Sequence, residues 1–568
     1  MARNILETFV RHDSHARPPR SALCLLRARP VLSPTNTSPH RPPPRHSLRT
    51  RLSAAAVAFA LLCPAALPPA WAQNQLPALG DPASDDFSLA TEKKLGEAIM
   101  REIRADPDYL DDPVLLEYLQ SLWQPLVAQA RVRGNITADM DQRLAWEPFL
   151  VRDRSVNAFA LPGGFVGVHL GLIAVTATRD ELASVLGHEL SHITQRHIAR
   201  SISNSKNQSL ISLASLLVGV LAASRGGTSG ADAANAAIVG GQALAAQGQL
   251  NFSRDMEREA DRVGFALMSG AGYAPGGMAA MFEKMDQSSR LNDSGGYPYL
   301  RSHPLTTERI GEARARLGAA APVAPISGLE HAAAQARSRV LMDTRFDALR
   351  RWQALDADRV SISLADKLAS AYESALASTL LRDWARADMS IAVALGVVRD
   401  APAPVDARAE RAVMLLNAQS KLARGDVQRA VAALEPYLAE GSRPVLLLSA
   451  QAALAVSPAS APNRPLLKQR AETLQTWVAL YPRDSLAWTA LSQLEVRLGQ
   501  PLRAVRADAE SRVALGDLSG AADRLRAGQR LARSGGPIDY IEVSVIDARL
   551  RDVEQQRRAQ RDDEKSLK

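Results

Sequence analysis

Beyond residue 72 the chain has no cysteine, because its two, Cys24 and Cys63, both fall near the start of the 568 residues. That absence excludes disulfide staples and thiolate chemistry from the remainder, which can fold in an oxidising compartment without mispairing. Net charge is the second thing lacking. The formal total is +8, yet ten arginines between Arg3 and Arg51 face only Glu7 and Asp13 in residues 1–72, leaving 58 side chains of each sign in the rest. A neutral body carries no electrostatic footprint for nucleic acid, whatever the pI of 9.6 suggests. The third absence is an apolar run of the roughly 20 residues that cross a bilayer as a helix. What is present is ordinary globular composition, 46% hydrophobic and 23% charged, in a chain far too long for one core. Two or more domains are expected.

The first 72 residues read as a leader. Arg45, Arg49 and Arg51 supply a positive flank, and Leu52 to Leu67 an Ala/Leu-rich apolar core broken by Pro64. Ala70-Trp71-Ala72 then places small residues at −3 and −1 before Gln73. Cleavage after Ala72 and export to a periplasm are the expectation. An uncleaved anchor and lipidation at Cys63 are the alternatives. Residues 1–50 are Pro/Arg/Ser-rich without periodicity and lack the composition of a packed domain.

Residues 73–87 are expected to be extended. A first helix starts at Ser88 on Leu89, Leu95, Ala98 and Ile99, and a second follows Pro113. Phe149-Leu-Val and the run from Asn157 to His169 read as short strands around a Pro162-Gly163-Gly164 turn. Helices return at Arg179–Arg200 and at Ser253–Gly270. The Ala/Pro/Val stretch at 319–329 marks a linker. From 330 to 555 the chain is helical and Ala/Leu/Arg-rich, and 556–568 forms a charged tail. The helical part repeats a signature, Gly-Asp-x-x-x-Ala or a near variant, at Gly425…Ala430, Gly499…Ala504 and Gly516…Ala521, with a degenerate copy at Arg382-Asp383…Ala387. In a tetratricopeptide-like hairpin the Gly permits the tight turn and the small Ala lets two helices approach. The spacing is irregular, so a generic α-hairpin bundle stays open beside a repeat array.

Six histidines follow the leader: His169, His188, His192, His197, His303 and His331. His188-Glu189-Leu190-Ser191-His192 is H-E-x-x-H within a helical window. Residues i and i+4 share a helix face, so both imidazoles can grip one Zn²⁺ while Glu189, beside the metal, can take a proton from water. A third ligand is needed. Glu257-Arg-Glu-Ala-Asp261 offers it on a later helix, with Glu257 reaching the metal and Asp261 orienting a ligand imidazole, whereas Glu259 projects elsewhere. His197, five residues past His192, falls on a different face and reads as structural. His169 gets no role, and His331 reads as a surface residue. The 14-residue apolar run Leu210–Ala223 reads as a lid or membrane-surface helix, giving peripheral membrane contact, or else as a plain core helix.

His188–His192, Glu257–Asp261, the Asn157–Gly164 strand-turn and His303-Pro304 together resemble the gluzincin metallopeptidases that include the CAAX prenyl protease and HtpX. The leader and helical C-terminal part resemble a narrower exported, repeat-bearing branch. The resemblance implies a mostly α fold: an α+β zincin-like domain with a small sheet at 88–318, followed by an all-α tetratricopeptide-like array. It implies one Zn²⁺ per chain on His188, His192 and Glu257, with Glu189 as catalytic base. His303 would close the fourth metal position and hold the enzyme latent, and Arg309 would lie near the substrate or developing oxyanion. An extended substrate would pair along Asn157, Ala158, Phe159, Ala160 and Leu161. Unfolded or misassembled outer-membrane proteins are the implied substrates, and the β-barrel assembly machinery the implied partner of the repeats. A chaperone or scaffold whose protease site is normally shut is the competing reading.

Overall fold

The structure, a computed structural model, describes residues 87–204, 253–291, 297–318, 328–358, 363–402, 405–456, 463–533 and 539–566. The leader, the apolar run 210–223 and the 319–327 part of the linker lie outside them. Among the described residues no helix is long and apolar enough to cross a membrane.

Helix α1 (Leu89–Ala105) begins where the Ser88 hydroxyl accepts from the Thr91 N–H and buries Leu95, Ile99, Met100 and Ile103 on one face. After the short β1 (Tyr109–Leu110), Asp112 caps α2 (Pro113–Val132), whose first residue needs no intrahelical N–H partner. Then come α3 (Ala138–Arg143), β2 (Glu147–Val151), β3 (Ala158–Leu161) and β4 (Phe165–His169). The sheet runs β1-β2-β4-β3, with β2 and β4 parallel and β3 antiparallel to β4. Strand β4 is buried throughout, and β3 is an edge.

Helix α4 (Leu170–Val175) leads to α5 (Arg179–Thr194), capped by the Thr178 hydroxyl and buried at every residue from Glu181 to Thr194. The single helix expected over Arg179–Arg200 therefore stops six residues early. Arg196 adopts a left-handed φ of 53° and donates to the Phe87 carbonyl, and this corner starts a new helix, α6 (His197–Asn204), in another direction. Helices α7 (Arg254–Gly270), α8 (Gly276–Leu291), α9 (Tyr299–Ser302) and α10 (Thr307–Arg316) complete the first core.

The helical part comprises α11 (Leu329–Leu341), α12 (Phe346–Asp358), α13 (Leu364–Leu380), α14 (Trp384–Arg399), α15 (Ala407–Ala423), α16 (Val427–Leu434), α17 (Arg443–Ala455), α18 (Asn463–Leu480), α19 (Ser485–Leu498), α20 (Pro501–Leu515), α21 (Leu518–Arg533) and α22 (Tyr540–Ser566). The signature residues sit at the hairpin turns. Gly425, Gly499 and Gly516 have φ of 83°, 73° and 87°, and Ala430, Ala504 and Ala521 are buried behind them. In the degenerate copy Arg382 takes the same conformation at φ 61°, with Ala387 buried. The charged tail expected at 556–568 continues α22 through Ser566, where Asp563 accepts from Lys94 at 2.7 Å.

The linker does not separate two independent cores, since α11 serves both. Its Ala334 belongs to the first hydrophobic core, and Leu329, Ala332, Ala333, Ala336 and Val340 belong to the second. Arg337 forms a buried two-pronged ion pair with Asp112 at 2.7 and 2.8 Å. His331, expected at the surface, is instead buried in this junction. Its Nδ1 lies 2.5 Å from the Tyr118 hydroxyl and its Nε2 donates to the Thr176 carbonyl at 2.9 Å. Burial lowers its pKa to about 4, so it is a neutral core imidazole.

Candidate metal centre

Two helices build the site by crossing at a pair of glycines. A methyl group on Gly187 would lie 3.2 Å from the Gly264 carbonyl, and one on Gly264 would lie 3.0 Å from Gly187 backbone atoms. Even a methyl group fits there only if the facing backbone gives by a few tenths of an ångström. His188 follows Gly187 directly, and Asp261 and Glu257 lie one and two turns before Gly264, so the crossing delivers ligand-type side chains to one point.

His188, His192, Glu257 and His303 are all buried and each offers a donor atom within 4.8 Å of the others. The two Nε2 atoms of His188 and His192 are 2.9 Å apart. Glu257 lies 3.4 Å from His188 Nε2 and 3.5 Å from His192 Nε2. His303 Nδ1 lies 3.3 Å from His188 Nε2 and 2.9 Å from Glu257 Oε1. Ligand bonds of about 2.1 Å in a tetrahedron imply ligand separations of about 3.4 Å, so the spacing and the N/O donor set fit zinc.

Charge fits too. Among the described residues, Glu189, Glu257 and Asp261 are buried here against one permanent cation, Arg309. Burial alone would lower the pKa of His188, but its contacts with Asp261 and Glu257 outweigh this and raise it to about 10. Burial likewise disfavours the charged form of Glu257, yet His303 and His188 hold its carboxyl well below the usual range. Burial pushes His192 well below the ordinary histidine value, helped by His188, and pushes Glu189 up. The lowered His192 and the ionised Glu257 suit ligands of a cation, and the upward shift of Glu189 suits a proton acceptor.

Glu189 Oε2 accepts from the Ala160 N–H at 3.0 Å, while Oε1 is buried with no hydrogen-bond donor among the described residues and lies 3.6 Å from His303 Nε2. Ala160 is on β3. Asn157 accepts from the His169 N–H, so by antiparallel alternation Phe159 and Leu161 also face β4, and Ala158 and Ala160 turn their backbone groups to the outer edge. Asp261 lies 2.9 Å from His188 Nδ1. Arg309, expected beside a substrate oxyanion, is buried and committed elsewhere. It grips both oxygens of Asp261 at 2.6 and 2.8 Å, lies 2.8 Å from Glu257 Oε2 and stacks over Phe282.

The sequence assigns no role to Tyr299, Gly187 or His169, and it reads His197 as structural on another helix face. Tyr299 stacks on His303 with ring centroids 4.6 Å apart. His197 contacts His192, because the corner at Arg196 turns it back toward a face that a continuous helix would have denied it. Gly187 was visible next to the motif, but its meaning depends on Gly264. His169, given no role, is buried beside Ser155, their side chains 2.9 Å apart.

A sheet with a half-buried edge strand beside a buried H-E-x-x-H helix, and a carboxylate supplied by a second helix, form the arrangement of a metallopeptidase domain. Residues 118–317 match the model of Peptidase family M48. The beta-barrel assembly-enhancing protease of Escherichia coli is 30% identical over 272 residues, 48% of this chain and 53% of that protein. A Vibrio cholerae protein that carries the same name provisionally is 35% identical over 293 residues, 51% of this chain and 56% of its own. The mitochondrial metalloendopeptidase OMA1 of Saccharomyces cerevisiae is 29% identical over 197 residues, 34% of this chain and 53% of that protein. The chain thus spans about half the length of the curated relatives it matches.

Proposed function

We propose that this chain is a zinc-dependent endopeptidase of the periplasm that acts on misassembled outer-membrane β-barrel proteins. The observation that carries the proposal is the convergence of His188, His192 and Glu257 with Glu189 beside them in a pocket of surplus negative charge. The names of the bacterial relatives support the substrate class. The leader sequence supports export, with cleavage after Ala72.

His188, His192 and Glu257 would hold the metal, with His303 as a fourth donor. Zinc bound there supplies a Lewis acid that polarises a peptide carbonyl and acidifies a water. Glu189 accepts the water proton through Oε1 and passes it to the leaving amine. Its other oxygen stays on the Ala160 N–H, which fixes the carboxylate against the edge strand. A substrate strand adds to β3 through the outward backbone groups of Ala158 and the carbonyl of Ala160, so recognition is largely independent of side chains, as suits unfolded clients. Asp261 and Arg309 orient His188 and Glu257 rather than touching substrate. The helical part, as a tetratricopeptide-like array, recruits clients or the barrel assembly machinery.

Zinc-dependent digestion of casein or an unfolded β-barrel tests this. Wild type should cleave, and Glu189→Gln should keep zinc but lose about 10²–10⁴-fold in turnover. Substantial residual cleavage would mean that another base operates. The fourth donor favours a second reading, a chaperone or scaffold with a latent protease site. Under it, His303→Ala raises basal proteolysis with zinc still bound. Lower activity in that variant would make His303 a substrate contact.

A further inference from the structure

The two histidines of the motif are held from behind in different ways. His188 Nδ1 faces Asp261 directly at 2.9 Å. His192 Nδ1 instead lies 2.9 Å from Nδ1 of His197, whose Nε2 lies 3.1 Å from Glu259 Oε2. Arg200 donates to the same oxygen at 3.0 Å. His197 is fully buried, whereas Glu259 and Arg200 reach the surface. Two residues thus interpose between a ligand-type imidazole and the solvent, and neither belongs to the donor cluster.

We propose that His197 is a positioning residue that fixes the tautomer of His192, with Glu259 setting the direction of the link. The direction follows from what each group can do. An ionised carboxylate only accepts, so His197 Nε2 must carry the proton toward Glu259. A neutral His197 then has a bare Nδ1, which accepts from His192 Nδ1–H. That leaves the lone pair of His192 on Nε2, the atom facing His188 Nε2 and Glu257. Reversing any step would put a proton where the cation should sit. The arrangement performs for His192 what Asp261 performs for His188, but with a neutral partner in contact, so it adds little negative charge to a pocket already rich in it.

This inference rests on the metallopeptidase reading, and its test separates the two. Zinc affinity of the full chain is measured by competition with a chromophoric chelator, and folding is checked by circular dichroism. His197→Phe keeps a ring but removes the acceptor, and should weaken zinc binding 10- to 100-fold. His197→Asn places an oxygen near the lost Nδ1 and should restore affinity to within a few-fold of wild type. In the cobalt-substituted protein, the exchangeable His192 Nδ1–H resonance should persist in wild type and His197→Asn and vanish in His197→Phe. Glu259→Ala, at a partly exposed position that does not challenge folding, should weaken zinc several-fold. Zinc binding and the resonance unchanged in His197→Phe, or zinc binding unchanged in Glu259→Ala, overturns the link alone. Wild type that takes up no zinc overturns the metallopeptidase reading and this link with it.

Discussion

The crossing of α5 and α7 and the helical part beyond α11 meet opposite packing problems. At the crossing, Glu189, Glu257, Asp261 and Arg309 are each at most 3% exposed, so charge is concentrated away from bulk solvent. In the helical part the buried side chains are mostly alanine and leucine, and ion pairs such as Arg549 with Glu510 lie toward the surface. The difference teaches that one kind of contact, arginine on carboxylate, has unequal worth in the two regions. A buried charge depends on its partner because no solvent replaces it, whereas an exposed pair is screened.

The largest effect should come from Arg309→Met, which leaves Asp261 and Glu257 buried without their cation. A loss of about 3–5 kcal/mol is expected in chemical unfolding, together with loss of zinc. An unchanged midpoint would mean that solvent reaches the site. At the junction, Arg337→Met strands Asp112 and should cost a comparable though smaller amount, roughly 3 kcal/mol.

The same pair predicts a pH dependence. Burial opposes ionisation of Asp112, but Arg337 and backbone N–H groups hold its pKa below the ordinary value, and Asp261 is likewise depressed, by Arg309 and His188 against burial. A carboxyl whose folded pKa is depressed stabilises the fold fully above its unfolded value of about 4 and loses that contribution as pH falls through the folded value. Urea midpoints should therefore drop below about pH 4, and Asp112→Asn should flatten that drop.

Gly264→Ala should cost about 1–3 kcal/mol by wedging the two metal helices apart and should also weaken zinc. A variant that loses stability but keeps full zinc affinity would show that the crossing serves packing alone. Gly499→Ala imposes a left-handed conformation on a residue with a Cβ and should cost about 1 kcal/mol, with no effect on metal. Arg483→Ala breaks an exposed pair with Glu97 and should leave the melting temperature indistinguishable from wild type.

Much of this contrast was legible in the chain. The i, i+4 spacing of His188 and His192 requires only a helix to bring them together, and Glu257 and Asp261 follow the same rule. The edge position of β3 agreed with its reading as short strands around a turn. The turn glycines of the helical part carried their own conformational signature, although Arg382 shows that the backbone can hold a left-handed corner without one. Other features had no local signal. Neither the burial of His331 nor the tie from Arg337 to Asp112, 225 positions apart, has a period that a window of sequence can display.

By itself the sequence determined which residues could be ligands, base and turn, because helix periodicity and side-chain chemistry are local properties. Tertiary structure alone decided which of them meet. The left-handed corner at Arg196 turned His197 back onto His192, the Gly187–Gly264 contact set how closely the helices of His188 and Glu257 approach, and the shared helix α11 joined two cores on either side of the linker. Each depends on a long-range contact, whose free energy comes from burying groups distant in the chain and has no counterpart in the order of neighbouring residues.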